Sequence, residues 1–536
     1  MIVRTDTLDR SIVALVTLQR EMQGSQRSSA SLGSSGLTTL IGPSAPHLAI
    51  FTVCLLLLLY GYEIFNFSLS IDEEVFDADY SWLGYIASGS WATGLLARVF
   101  PPIGNIPMVS TILFCAGLGL SACILARLLF RDHGAQWAFV AIFVSSPIWP
   151  HLAEFNISSW AVGICSVLLT FSVLFFLAEG RFGYIWATCL LAAATGISPS
   201  MYFWFLAVIF VLQLSIVLGT APVSITDRYR TLPFLRVGLI AAAGLLGYFV
   251  VGKLLMVVLS LQMSPYVQGF VRLADFIRAP RDAIHGTLRV SLLVVSGSAP
   301  LYLGYGHLLT LLPLLGLLIA IVRVVGRGRL TSSRRMVAGV SLAAALVISL
   351  CPIVISAGSV STRALTSWIP VSTFLAGLPF SIYGRFRKPL FGVLACVLFA
   401  SIWVTVGLFY TDHIARQRDE LLAARLMTRI DQILPNPPAR IPFVVIGAVP
   451  APSSGPFHRM EVFGDSFFDN SHEGGNPWRI AAYLRILGVD NLEPRELAEI
   501  NPYRPVVKEM PVWPAAGSVE MVGGILVIKL GPMPPP

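Results

Sequence analysis

The sequence predicts an α-helical polytopic membrane protein with about eleven transmembrane helices and a small α/β domain at its C-terminus. Three observations carry that expectation. The 536-residue chain is 55% apolar and only 12% charged, a balance unlike that of a single water-soluble globule. Apolar runs long enough to cross a bilayer recur as far as residue 410. Arginines gather in the short connections between these runs, on alternate loops.

Residues 1–46 read as a mobile cytosolic extension, with an amphipathic stretch from Ser11 to Met22 and a Ser/Gly-rich run from Ser25 to Thr39. The first long apolar run starts near His47, beyond the reach of an ordinary cleavable signal peptide, and reads as a retained signal anchor. Expected spans lie near 47–67, 105–127, 135–150, 157–178, 183–198, 200–219, 234–259, 304–323, 336–356, 366–383 and 389–410. The pair around Gly196 and Pro199 also reads as one broken helix, which would lower the count. Residues 47–410 thus form the expected transmembrane domain, with an exoplasmic loop at 69–104. Two apolar pieces rich in Gly, Ser and Pro, Gly84 to Phe100 and Leu288 to Leu303, look re-entrant or interfacial. The tail, 411–536, begins with an amphipathic helix from Thr411 to Leu434. Strand candidates follow at Ile441 to Val449 and Gly524 to Leu530, with a helix from Pro477 to Leu487 between them.

The positive-inside rule orients the chain. Arg127 with Arg131, Arg181, Arg228 with Arg236, Arg323 to Arg335, and Arg385 to Lys388 share one side with the N-terminus, the cytosol. The net charge of +8 is therefore a topology signal, and no basic stripe with interleaved aromatics marks a nucleic-acid partner. All seven cysteines lie inside apolar runs, which suggests neither a disulfide framework nor a metal site. No nucleotide-binding glycine loop or metal motif occurs, so no cofactor and no metal are expected.

Candidate chemistry falls on the exoplasmic side. Asp72, Glu73, Glu74, Asp77 and Asp79 follow directly on the first span. Mutual repulsion among clustered carboxylates raises at least one pKa and suits a base that takes a hydroxyl proton near neutral pH; the same run also reads as a solvated acidic loop. Arg363 is the one charged residue between Met336 and Arg385. It reads as a bidentate clamp for a lipid phosphate or as a snorkelling interfacial arginine. His151 and Glu154, at a span end on the same face, are placed to bind sugar hydroxyls or to serve structure alone. Between Gln262 and Arg289, basic residues alternate with Phe270, Leu273, Phe276 and Ile277, as in a helix lying on the membrane surface or a plain solvated connector.

Acidic residues after the first span, many spans and a soluble tail resemble the lipid-sugar-dependent glycosyltransferases of the all-membrane, GT-C-like type. Within them the chain resembles the type-two glucosyl transferase family, the serotype-converting O-antigen glucosyltransferases of bacterial inner membranes. The resemblance rests on the stretch Asn66 to Glu74, on Gly89-Ser90-Trp91 and on Thr362-Arg363-Ala364-Leu365. In the tail it rests on Arg418 to Ala423 and Asn476-Pro477-Trp478-Arg479-Ile480. The family pattern places an arginine before Trp91, where this chain has Ser90. The resemblance implies a polyprenyl-phosphate-linked glucosyl or related hexosyl donor on the periplasmic side. The acceptor would be a polysaccharide or lipid-linked glycan, as in lipopolysaccharide modification, and the tail would be periplasmic. It implies Asp72 or Glu73 as catalytic base and an inverting transfer, with Glu74, Trp91, His151, Glu154 and Arg363 binding substrate.

A transporter or flippase of lipid-linked sugars is the alternative. It would hold ionisable groups at the membrane midplane in interrupted helices, whereas these candidates sit at helix ends on one face. A noncatalytic scaffold is a second alternative, and would tolerate loss of the acidic loop. Among enzymes, transfer of mannose or aminoarabinose also fits.

Overall fold

The computed structural model describes residues 45–74, 81–100, 106–229, 231–264, 269, 271–326, 330–450, 459–469 and 475–534. The N-terminal stretches expected at Ser11 to Met22 and Ser25 to Thr39, together with Asp77, Asp79 and Phe270, lie outside the described residues.

The apolar runs form a helical bundle: α1 Ala45–Phe65, α2 Pro107–Leu129, α3 His133–Val144, α4 Asn156–Ala178, α5 Gly180–Ile197 and α6 Tyr202–Leu218. Then come α7 Phe234–Val258, α8 Pro280–Ser296, α9 Leu311–Val325, α10 Ser332–Ser349, α11 Trp368–Ile382 and α12 Arg387–Ile433. Helices stand at each of the eleven expected positions. Among the described residues seven are long and apolar enough to cross a membrane, and α3 and α9 are shorter apolar helices. The chain is thus a membrane protein, with seven spans by this measure against the expected eleven. The break expected near Pro199 is present: α5 ends at Ile197 and a single 3-10 turn, Pro199–Met201, leads into α6.

Without a hydrophobic drive between helices in lipid, close packing depends on small residues at crossings. The α2–α4 crossing uses Gly117 and Gly163. A Cβ at Gly117 would lie 2.2 Å from the Gly163 carbonyl oxygen, and one at Gly163 would lie 2.6 Å from that of Leu113. Gly316 of α9 meets the backbone of Leu375 in α11 in the same way.

The last span and the amphipathic tail helix are one 47-residue helix, α12. No glycine or proline interrupts Leu408 to Ile433, so nothing stops the helix at the apolar-to-polar boundary. At one end Arg387 pairs with Asp132, which follows α2. At the other, Ala423, Leu426 and Ile430 pack on the tail sheet. The bundle therefore has two distinct rims, one basic and one under the tail.

The tail holds a four-stranded sheet in the order β2-β1-β4-β3: β1 Ile441–Ile446, β2 Leu492–Pro494, β3 Val519–Val522 and β4 Ile525–Lys529. A helix, α13 Pro477–Ile486, joins β1 to β2. β1 runs parallel to both β2 and β4. β3 and β4 form a hairpin turned by Gly523 and Gly524, both at positive φ, as a tight two-residue turn requires. β1, β4 and α13 lie where strands and a helix were expected, and β2 and β3 were not foreseen.

Candidate active site

The acidic loop folds back onto both the bundle and the tail. Ile71 is buried in the core formed by the sheet, α12 and α13. Of its three described carboxylates, Glu73 turns to backbone amides while Asp72 and Glu74 share Arg479. Glu73 is 1% exposed; its Oε2 accepts from the Ser70 amide at 2.8 Å and its Oε1 from the Ile157 amide at 3.1 Å. Glu74 is fully buried, and its Oε1 accepts from Arg479 of α13. Burial pushes the Glu74 carboxyl up to about 7, against the pull of Arg479. Asp72 has a half-exposed side chain, whose Oδ1 accepts from Arg479 at 2.8 Å. Its backbone sits at φ 83°, a left-handed conformation that costs a non-glycine residue about 1 kcal/mol and is concentrated at functional sites.

Residues 150–157 meet this loop. Glu154 is 2% exposed; its Oε1 accepts from the Ser70 hydroxyl at 3.1 Å while Oε2 has no partner. Its carboxyl is raised well above the usual range, first by burial and then by Asp412 and Glu73, against which the Ser70 hydroxyl and Arg363 act. His151 is 1% exposed with neither ring nitrogen hydrogen-bonded. Burial lowers its imidazole to about 4, with Arg363 reinforcing and Glu461 opposing. His151 is therefore neutral near pH 7.

Arg363 enters from the 3-10 turn Thr362–Ser367 that leads into α11, its guanidinium 4.9 Å from the centre of the Phe155 ring. Thus Glu73, Glu154, His151 and Arg363 converge on one stretch, His151 to Ile157. Trp91 is placed differently: it is wedged against Gly196 of α5 and Gly252 of α7, with its indole N–H unpartnered.

The structure adds residues that were not foreseen. Glu63, in the last turn of α1, is 3% exposed and hydrogen-bonds the Asn156 side chain. It had a legible signal, since an ionisable group in an otherwise apolar span is functional by default. Asp412 and Arg416 sit where α12 leaves the apolar region; Arg416 pairs with Asp419 at 2.9 Å and stacks 4.1 Å from the Phe467 ring. Residues 459–469 of the tail cover the rim. Phe463 packs edge-on against His151, 5.3 Å between ring centres. Glu461 lies 3.9 Å from His151 and accepts from the Thr362 amide. Nothing local marks Glu461 in the sequence. Among the described residues, no group of three or more His, Cys, Asp or Glu side chains is arranged to hold a metal ion.

Buried ionisable groups at helix ends, beneath the tail, define an integral membrane protein whose polar chemistry sits at one rim of its bundle. The family model described as Glucosyl transferase GtrII matches residues 61–380, and the chain belongs to that family. It is accordingly a membrane glucosyltransferase. The matched range contains Glu63, the acidic loop, His151, Glu154 and Arg363, and ends before α12 and the tail. No curated protein and no solved structure matches the chain.

Proposed function

We propose that this glucosyltransferase moves a glucosyl group from a polyprenyl-phosphate donor to a hydroxyl of a surface glycan such as O-antigen, at the periplasmic face of a bacterial inner membrane. The observation that carries this reading is the convergence of the acidic loop and Arg363 on residues 151–157, with only one of the loop's three described carboxylates substantially open. Asp72 takes the acceptor's hydroxyl proton. The acceptor oxygen bonds to the anomeric carbon from the face opposite the leaving group, which inverts that centre. The anomeric carbon–oxygen bond to phosphate breaks, and its electron pair leaves with polyprenyl phosphate. A phosphate leaving group needs charge neutralisation rather than protonation, and Arg363 provides a planar, permanently charged partner. No second carboxylic acid is needed, unlike glycoside hydrolysis with its alkoxide leaving group.

Glu73, tied to two backbone amides, holds the loop; Glu74 and Arg479 tie it to the tail. His151 and Glu154 keep polar atoms unpartnered in a buried setting, where sugar hydroxyls would satisfy them. The arginine-rich rim supports a cytosolic N-terminus and a periplasmic tail.

The test is transfer in proteoliposomes holding the purified chain and an acceptor glycan. Radiolabel should move from polyprenyl-phosphate-glucose and not from a glucose nucleotide added alone. Transfer from the nucleotide without lipid carrier would overturn the donor assignment.

A further inference from the structure

At the basic rim, opposite the proposed reaction site, a cavity of about 430 Å³ opens among the helix ends. Arg131, Arg323 and Arg334 line it, together with Thr226, Tyr229 and an apolar wall that includes Ile216 and Leu330. The three arginines come from different elements: the turn after α2, the last turn of α9 and the first turn of α10. Among the described residues, none that lines it is acidic. Among the described carboxylates at this rim, Asp132 pairs with Arg387 and Glu179 with Arg228 at 3.1 Å, while Asp227, next to the lining residue Thr226, is exposed and outside the lining. The roughly 25 residues of α12 between Arg387 and Asp412 rise about 38 Å, so this cavity is remote from Asp412 and the chemistry beside it.

Arginine in short loops is ordinary topology signalling when each side chain points to water. Three that line one cavity repel one another, and an anion relieves the repulsion. The volume is that of a small-molecule site. Its mixture of guanidinium, hydroxyl and aliphatic wall matches a phosphate attached to something apolar, because guanidinium pairs with phosphate in a fork while the wall takes carbon. Val322 and Val325, 57% and 70% exposed, flank Arg323 on α9 and present an apolar surface beside the cavity. The geometry points to a second ligand site in which Arg131, Arg323 and Arg334 bind a phosphate group, carried by a lipid head group or by a small soluble phosphate.

The experiment titrates the purified full-length chain in a neutral detergent. The probes are dioctanoyl phosphatidic acid, inorganic phosphate and dioctanoyl phosphatidylcholine, read by native mass spectrometry and thermal unfolding. One phosphatidic acid should bind per chain and raise the unfolding temperature, with no effect of phosphatidylcholine. Inorganic phosphate that stabilises by itself assigns the site to a soluble phosphate; stabilisation by phosphatidic acid alone assigns it to a lipid. Arg131→Gln and Arg334→Gln, both at exposed positions, should each weaken binding about tenfold or more, the loss of a charge-assisted hydrogen bond. Arg181→Gln, exposed at the same rim but outside the cavity, should bind as the parent does. Failure of both phosphate probes to bind, equal uptake of phosphatidylcholine, or equal losses in Arg181→Gln would overturn the assignment.

Discussion

Glu74 gives the sharpest quantitative expectation. Its carboxyl is fully buried and its pKa stands at about 7, where an ordinary glutamate titrates near 4.5. The folded protein keeps this proton up to about pH 7, and the unfolded chain loses it near its ordinary value. Folding therefore takes up a proton between these values, and stability falls as pH rises through that window. A raise of about 2.5 pH units corresponds to about 3 kcal/mol of cost for the charged form. The figure already includes the attraction of Arg479, which lowers the pKa. Glu74→Gln removes the ionisation and keeps an oxygen for Arg479 to contact, while Asp72 still pairs with Arg479. Thermal unfolding of parent and variant in detergent, compared from pH 5 to pH 8, isolates this group from the others that titrate. The variant should gain on the parent as pH rises. At about 2–4 °C per kcal/mol for a unit of 150–250 residues, and less for a larger one, the gain at pH 8 is about 3–6 °C. A difference that does not change with pH, or a variant less stable than the parent at pH 8, would refute the buried setting of Glu74.

Three further outcomes follow from the same geometry. Gly163→Leu forces α2 and α4 apart at a point where even a Cβ would lie 2.6 Å from a carbonyl oxygen; the unfolding temperature should drop by the equivalent of about 1–3 kcal/mol or more, and an unchanged value would refute the crossing. Arg363→Lys keeps the charge but loses the bidentate fork, so transfer should fall about 100- to 1000-fold with little change in thermal stability; activity within twofold of the parent would remove Arg363 from the leaving-group role. His151 changes charge near pH 4, so His151→Gln should leave the shape of the pH–rate profile between pH 5 and 8 unaltered. Disappearance of an ionisation near pH 6 in that variant would show that the imidazole titrates there.

The bundle was legible because lipid imposes a simple rule: each apolar run of span length must become a helix to satisfy its own backbone. The span count was less so, since α3 and α9 are apolar but short. The continuity of α12 was missed because a change from apolar to amphipathic patterning looks like a boundary, although only a glycine or proline would have made one. At the site, the acidic loop and Arg363 stood out as charges in an apolar chain, and residues 151–154 as polar groups at a span end. Their separate tasks did not, because these depend on partners far away in sequence. Glu74 and Arg479 are 405 positions apart, and no local pattern announces that Asp72 and Glu74, but not Glu73, meet that arginine. Trp91 fills the space that Gly196 and Gly252 leave between α5 and α7. Contacts of that kind are set by helix packing, which a single sequence does not display.

The proposed base of the lipid-linked glucosyl transfer is Asp72. The most direct measurement compares the intact chain with Asp72→Asn in proteoliposomes supplied with radiolabelled polyprenyl-phosphate-glucose and acceptor glycan, after matched unfolding temperatures show both to be folded. Transfer should fall about 100-fold or more in Asp72→Asn. Equal transfer by the two proteins would contradict it.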